Sequence, residues 1–275
     1  MIRPFIALLL LAVCLRAADS PKEQPGRGGF TVATYNILYK NVDLPKLVAV
    51  IREARADLVA LQETNAESEK FLRRQLGDVY PHMMFREGAR AAGGFGFLSR
   101  SALQNPQFLD PLPGCCGAWV AEVKLAGSNT QIVSVHLATP KTGKLATILG
   151  AAQMFQDVEE IHAKEITRIH EAMNRQLPAI VLGDFNSLST FRPPTFLSQH
   201  GFTDSFAAVT EKPDDHPTCH YSVRGTDFKF RIDYIFHTSQ LRTAASHVVP
   251  SDASDHSMVV SRLEWKDDVE KPAAP

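Results

Sequence analysis

Polar residues able to do chemistry recur in this sequence where short apolar runs stop. Asn36 follows the run from Phe30 to Tyr35, Glu63 follows Asp57 to Gln62, His136 closes Gln131 to Val135, and Asp184 with Asn186 follows Ala179 to Gly183. Asp233 lies within Phe230 to Phe236, an apolar segment in which an unpaired carboxylate would be costly to bury. Ser254-Asp255-His256 sets an acid beside an imidazole, the side chain best suited to proton work near neutral pH. Asn36, Glu63 and Asp255 offer oxygen ligands, which suit magnesium, with manganese or calcium as alternatives, rather than zinc. Such a set serves attack of water on a phosphoryl centre. A cation neutralises the developing charge, a carboxylate orients and deprotonates the water, and donors hold the phosphate oxygens.

Taken one at a time, these residues have plainer explanations. An Asn after a strand is usually a turn former, a Glu there is often a cap or a surface charge, and Gly183-Asp184-Phe185-Asn186 reads equally as a tight turn. Their repetition at successive strand ends favours function, because strand ends in α/β folds converge on the edge where ligands bind.

The elements that must position them follow from pattern. Phe30 to Ile37 is β-branched and aromatic, Leu44 to Ala54 carries Leu47, Val48 and Ile51 at helical spacing, and Asp57 to Leu61 is a short buried run, together a strand, helix, strand unit. The plan recurs with a strand over Gln131 to Leu137, a long helix from Leu145 to about Gln176, and a strand over Ala179 to Leu182. Two such units predict two sheets of related topology. Further strands are predicted at Gly93 to Ser99, Ala118 to Leu125, Phe230 to His237 and Ser257 to Leu263.

Composition sets the limits. With 44% hydrophobic and 21% charged residues in 275, the chain has material for a full core. Residues 1–18 have the order of a secretory signal peptide: Arg3, the apolar run Ile6 to Leu15, then Ala17 and Ala18. That run is shorter than the roughly 20 residues needed to span a bilayer, so an exported protein with no transmembrane segment after cleavage is expected. Cys14 gives lipoprotein anchoring as the lesser alternative. Residues 19–29 read as a linker, 30–265 as one catalytic domain and 266–275 as a disordered tail. Cleavage removes Arg3 and Arg16 and no acids, leaving 27 basic against 30 acidic side chains and a formal charge of −3. Nucleic acid as a partner is therefore allowed but not favoured, since non-specific binding rests on Lys and Arg neutralising phosphates. Of Cys115, Cys116 and Cys219, one of the adjacent pair is expected to bridge to Cys219 in an oxidising compartment. A zinc site lacks a second Cys or His at ligand spacing.

The sequence resembles the endonuclease/exonuclease/phosphatase superfamily. The resemblance is carried in order by Thr34-Tyr35-Asn36-Ile37, Leu61-Gln62-Glu63, Gly96 to Arg100, Ser134-Val135-His136-Leu137, Gly183-Asp184-Phe185-Asn186, Arg231 to Phe236 and Ser254-Asp255-His256. It implies a four-layered α/β/β/α sandwich, two mixed sheets face to face with helices outside, and one active site at an end of the sandwich. By position, Asn36 and Glu63 would bind the metal, with Asp255 completing its shell. Asp184 would activate water, Asn186 would stabilise phosphoryl oxygens, Asp233 would hold His256, and His256 would hydrogen-bond the scissile phosphate. His136 would match a second histidine found in the deoxyribonuclease and sphingomyelinase branches.

Two departures bear on substrate. Leu38 stands where abasic-site endonucleases carry an Asp. The segment Gly94 to Ser99 holds no acid to pair with His136, which leaves that histidine without an assigned partner. Arg100 and Arg231, among the basic residues flanking the motifs, are expected to touch substrate. The reading is an exported, magnesium-dependent phosphoric ester hydrolase, a monomer acting as phosphodiesterase or phosphatase on an ester of undetermined class. The alternatives are a secreted non-specific nuclease and a non-catalytic binding member of the same fold.

Overall fold

The computed structural model describes residues 28–41, 43–140, 153, 156–223 and 226–266. The proposed signal segment, most of the linker, the first part of the expected long helix and the tail lie outside the described residues. The first strand begins at Phe30 and the last ends at Trp265.

Sheet one contains β1 (Phe30–Asn36), β2 (Leu58–Gln62), β3 (His82–Arg86), β4 (Phe95–Ser99), β13 (Leu241–Val249) and β14 (Met258–Trp265), in the order β13-β14-β1-β2-β4-β3. Sheet two contains β5 (Leu103–Leu109), β6 (Ala118–Leu125), β7 (Ser128–His136), β8 (Ala179–Asp184), β9 (Thr203–Asp204) and β12 (Asp233–His237), in the order β5-β6-β7-β8-β12-β9. In each sheet a central pair runs parallel, β1 with β2 and β7 with β8, and the remaining pairs are antiparallel. A separate hairpin joins β10 (Cys219–Val223) to β11 (Thr226–Phe230). The two sheets of related topology are therefore present, and the strand expected over Phe230 to His237 starts later, at Asp233.

The inner faces of the sheets meet in one apolar layer that includes Val32, Ala60, Phe97, Trp119, Ile132, Leu182 and Ile235, with Phe97 stacked on Trp119 at 5.0 Å. The outer face of sheet one is covered by α1 (Leu44–Ala54) and α2 (Ala66–Leu76), and that of sheet two by α3 (Glu159–Ala172) and α4 (Arg192–Gln199). The result is the expected α/β/β/α sandwich. Helix α1 starts where Asp43 accepts from Lys46 N at 3.1 Å, and buries Leu44, Leu47, Val48 and Ile51, one stripe at helical spacing. Helix α2 starts at a reciprocal cap between Asn65 and Ser68. No helix among the described residues is long and apolar enough to cross a membrane.

Candidate active site

Both parallel pairs end at the same edge of the sandwich, and this is what gathers residues far apart in sequence. Asn36 is the last residue of β1 and Glu63 follows β2, while in sheet two His136 stands opposite Asp184 in register. Strand β12 runs back, so its first residue, Asp233, also pairs with Asp184. His256 lies just before β14, whose antiparallel pairing with β1 returns it to the same edge. Gly183 fixes this register: a Cβ there would lie 2.0 Å from the Val135 carbonyl oxygen, and its φ of +146° suits glycine. Glu63 and Asn186, just past the ends of β2 and β8, adopt left-handed backbone, with φ of 60° and 47°.

The polar contacts form one network. Asn36 Nδ2 lies 3.1 Å from Glu63 Oε1 and 3.0 Å from Asp184 Oδ2, so a single amide group bridges two carboxylates. Glu63 Oε2 accepts from Tyr39 N at 3.1 Å, and Asp184 Oδ1 accepts from Asn186 N at 2.8 Å. Two imidazoles flank Asp184 Oδ2, His136 Nε2 at 3.6 Å and His256 Nε2 at 3.8 Å, beyond direct hydrogen bonding and within reach of a shared oxygen. Asn186 Nδ2 donates to the Leu137 carbonyl at 3.1 Å.

His256 Nδ1 and Asp233 Oδ2 are 2.8 Å apart and both residues are buried. Burial works against a charged His256 ring, but Asp233, Cys219 and Asp184 outweigh it and raise the ring well above the usual imidazole range. Burial also pushes Asp233 up to about 6, with His256 pulling the other way. At neutral pH the pair is therefore imidazolium and carboxylate. Burial likewise opposes a charge on His136, and Cys116, Asp184 and Glu63 together raise it.

Sequence reasoning missed the residues that hold these groups. Thr218 Oγ1 donates to Asp233 Oδ2 at 2.7 Å and accepts from the backbone N–H of Ile232 and Asp233, each at 3.0 Å. Beneath the site, Thr34 Oγ1 donates to Gln62 Oε1 at 3.2 Å and Gln62 Nε2 donates to Ser134 Oγ at 3.1 Å, a buried polar link between the sheets. A polar residue facing inward from an apolar strand, as Gln62 does, was the available signal. For Thr218, a loop residue, there was none.

Several expectations are corrected. Arg100 lies past the far end of β4, which runs antiparallel to β2 so that Phe95 is near the site and Ser99 is remote. The Arg100 guanidinium instead pairs with Asp57 at 3.3 Å. Arg231 is spent inside the protein, with Nη1 on Asp204 at 2.8 Å, Nε on Asp214 at 2.9 Å and its side chain only 3% exposed. The expected bridge to Cys219 does not form, and Cys115, Cys116 and Cys219 are all free and buried. For Asp255, the third expected metal ligand, the side-chain contact is with Ser254 Oγ, at 3.3 Å. That same hydroxyl donates to the Asn36 carbonyl at 2.8 Å. Lys141 and Lys144, which also flank the motifs in sequence, lie outside the described residues.

The donor set fits a hard divalent cation. Among the described residues, no Lys or Arg pairs with Glu63, Asp184 or Asp233, so these carboxylates converge with only the two imidazoles to offset them. One oxygen of Asp233, Oδ1, is buried without a hydrogen-bond partner. Asp184, Asp233 and His256 also bring ligand atoms within 4.8 Å of one another. Within that cluster His256 Nδ1 and Asp233 Oδ2 are already paired with each other at 2.8 Å.

The profile of the Endonuclease/Exonuclease/phosphatase family matches residues 33–256. No curated protein sequence matches the chain. Among solved structures, an endonuclease/exonuclease/phosphatase from Beutenbergia cavernae DSM 12333 superposes with a TM-score of 0.66 at 21% identity, covering 90% of this chain and 73% of that one. TDP2 of D. rerio complexed with single strand DNA product gives 0.65 at 16% identity, covering 86% and 99%. The human Nocturnin catalytic domain with bound sulfate anion gives 0.64 at 16%, covering 86% and 95%. At these identities the likeness establishes the fold.

Proposed function

Because the chain belongs to the endonuclease/exonuclease/phosphatase family, we propose that it is a divalent-metal-dependent phosphoric ester hydrolase, with its site at the shared edge of the two sheets. The observation that carries this reading is the convergence of Glu63 and Asp184 on Asn36 Nδ2, flanked by His136 and by the buried His256–Asp233 ion pair.

Glu63 and Asn36 would hold a hard cation, magnesium in the first instance, which when bound supplies positive charge against a phosphoryl oxygen. Asp184 Oδ2, set between two imidazoles, orients the attacking water and accepts its proton. His256, kept protonated by Asp233, donates from Nε2 to a phosphoryl oxygen, so its charge is in place before negative charge grows there. Thr218 prevents Asp233 from turning away. Asn186 is fixed beside Asp184 as a further polar contact for the phosphate.

Substrate class follows from charge. The mature formal charge of −3 and the internal use of Arg231 support an ester with one or two phosphates, a small molecule or a lipid headgroup, over a polymer. Export through the N-terminal segment is part of the proposal. The test is hydrolysis by purified mature protein, with magnesium and with EDTA, across plasmid DNA, sphingomyelin, polyisoprenyl phosphates and bis(4-nitrophenyl) phosphate. Cleavage of a non-polymeric ester that stops in EDTA is expected. Cleavage of DNA alone would overturn the substrate class, and no cleavage of any ester would overturn the enzyme.

A further inference from the structure

Helix α3 turns two buried polar residues, His162 and Glu165, toward the sheet. Neither belongs to the network described above, and both act on one residue. Glu165 Oε2 accepts from Ala138 N at 2.9 Å, and His162 Nε2 lies 2.7 Å from the Ala138 carbonyl oxygen. A carbonyl only accepts, so His162 Nε2 carries the proton; burial lowers this ring's pKa and keeps it neutral. Ala138 lies beyond the last sheet pairing of β7, at His136, where its buried backbone groups would otherwise lack partners.

The consequence lies in the peptide unit between residues 137 and 138. Its N–H belongs to Ala138 and its C=O to Leu137, and the unit is planar. The N–H is held by Glu165, and the C=O accepts from Asn186 Nδ2 at 3.1 Å. Rotating that plane releases Asn186, so Glu165 sets the orientation of Asn186 without touching it. Leu137 N, bonded to the Asp184 carbonyl at 3.0 Å, ties the same stretch to β8. Glu165 also meets the Cys115 thiol, and its burial makes a carboxylate there costlier than an apolar helix face would be.

We propose that Glu165 and His162 are positioning residues that clamp the exit of β7 and, through the 137–138 peptide plane, hold the Asn186 side chain for phosphate. The inference rests on the role given to Asn186 above, so its test has one arm that needs no activity. In ¹H–¹⁵N spectra, Glu165→Ala moves the Asn186 side-chain amide resonances, whereas Glu165→Gln, which keeps an acceptor, leaves them near their wild-type positions. The second arm measures kcat and KM on bis(4-nitrophenyl) phosphate with magnesium. Glu165→Ala lowers kcat about tenfold with little change in KM, and Glu165→Gln restores most of it. Glu165→Ala adds little on top of Asn186→Ala, because residues acting as one unit are not additive. Where the Ala variant does not fold, Glu165→Met fills the space without an acceptor and carries both arms. An Asn186 amide unmoved by loss of the acceptor, or effects on kcat that multiply in the double variant, would overturn the clamp. A wild-type protein with no hydrolytic activity would sink the phosphoesterase reading, while the amide spectra would still decide the clamp.

Discussion

Sheet one and sheet two meet at one edge and prepare it differently. Sheet one ends in Asn36, which is buried, and Glu63, whose side chain keeps 13% of its surface open. Sheet two ends in His136, Asp184 and Asp233, whose side chains are 1–2% exposed and bonded or flanked on several sides. A partly exposed carboxylate suits a small cation that keeps part of its water shell. A sealed, pre-bonded wall suits charges that must not reorganise during reaction. His256 joins the halves, since it enters from the sheet-one side and is held by an acid of sheet two. Under the proposed function, cation affinity would fall to Glu63 of sheet one, and proton and phosphate handling to sheet two.

This division can be broken most sharply on the sealed side. His256→Ala should lower kcat by about 10² to 10³ with the fold intact, as removal of a single charge-stabilising donor does. Asp184→Asn should lose at least about 10², in the range of a general base. Neither loss should be recovered by raising magnesium, and recovery would mean that these residues serve the cation instead. A smaller effect follows from Asp233. As pH falls through about 6, its carboxylate takes up a proton and the ion pair with His256 is lost. The rate should then fall about tenfold for each further pH unit, as for loss of one essential ionised group. A rate level down to pH 4.5 would remove the pair from the mechanism.

Arg231 contributes to stability from outside the candidate site. Arg231→Met leaves Asp204 without its buried partner and should destabilise by about 3–5 kcal/mol in a denaturant titration, with kcat of the folded protein nearly unchanged. A specific rise in KM with unchanged stability would return Arg231 to the substrate. Arg100→Ala, which breaks an exposed pair at the far end of β4, should cost at most about 1 kcal/mol and leave activity untouched.

The parts of the molecule legible in sequence are those where one local signal sufficed. β1, β2, β7 and β8 are apolar runs buried on both faces, and the polar residues that end them form the candidate site. Strands β3, β5 and β13 lie at sheet edges, half exposed and mixed in composition, and β5 even contains Pro106, so no run announced them. Helix α2 buries only Ser68, Leu72 and Leu76 among many charges. Arg100 was misplaced because adjacency to a motif does not say which end of an antiparallel strand faces the site. Thr218, His162 and Glu165 were invisible because each acts across a tertiary contact, on a partner that sequence does not place beside it.

Metal dependence and the separate roles of Glu63 and Asp184 are read together from the rate of bis(4-nitrophenyl) phosphate hydrolysis as free magnesium is varied, for wild type, Glu63→Ala and Asp184→Asn side by side. The wild type should saturate and fall to nothing in EDTA. Glu63→Ala should need far more magnesium and then regain part of the rate, while Asp184→Asn should stay low throughout. A wild-type rate that survives EDTA, or a Glu63→Ala curve that overlays the wild type, would contradict the account.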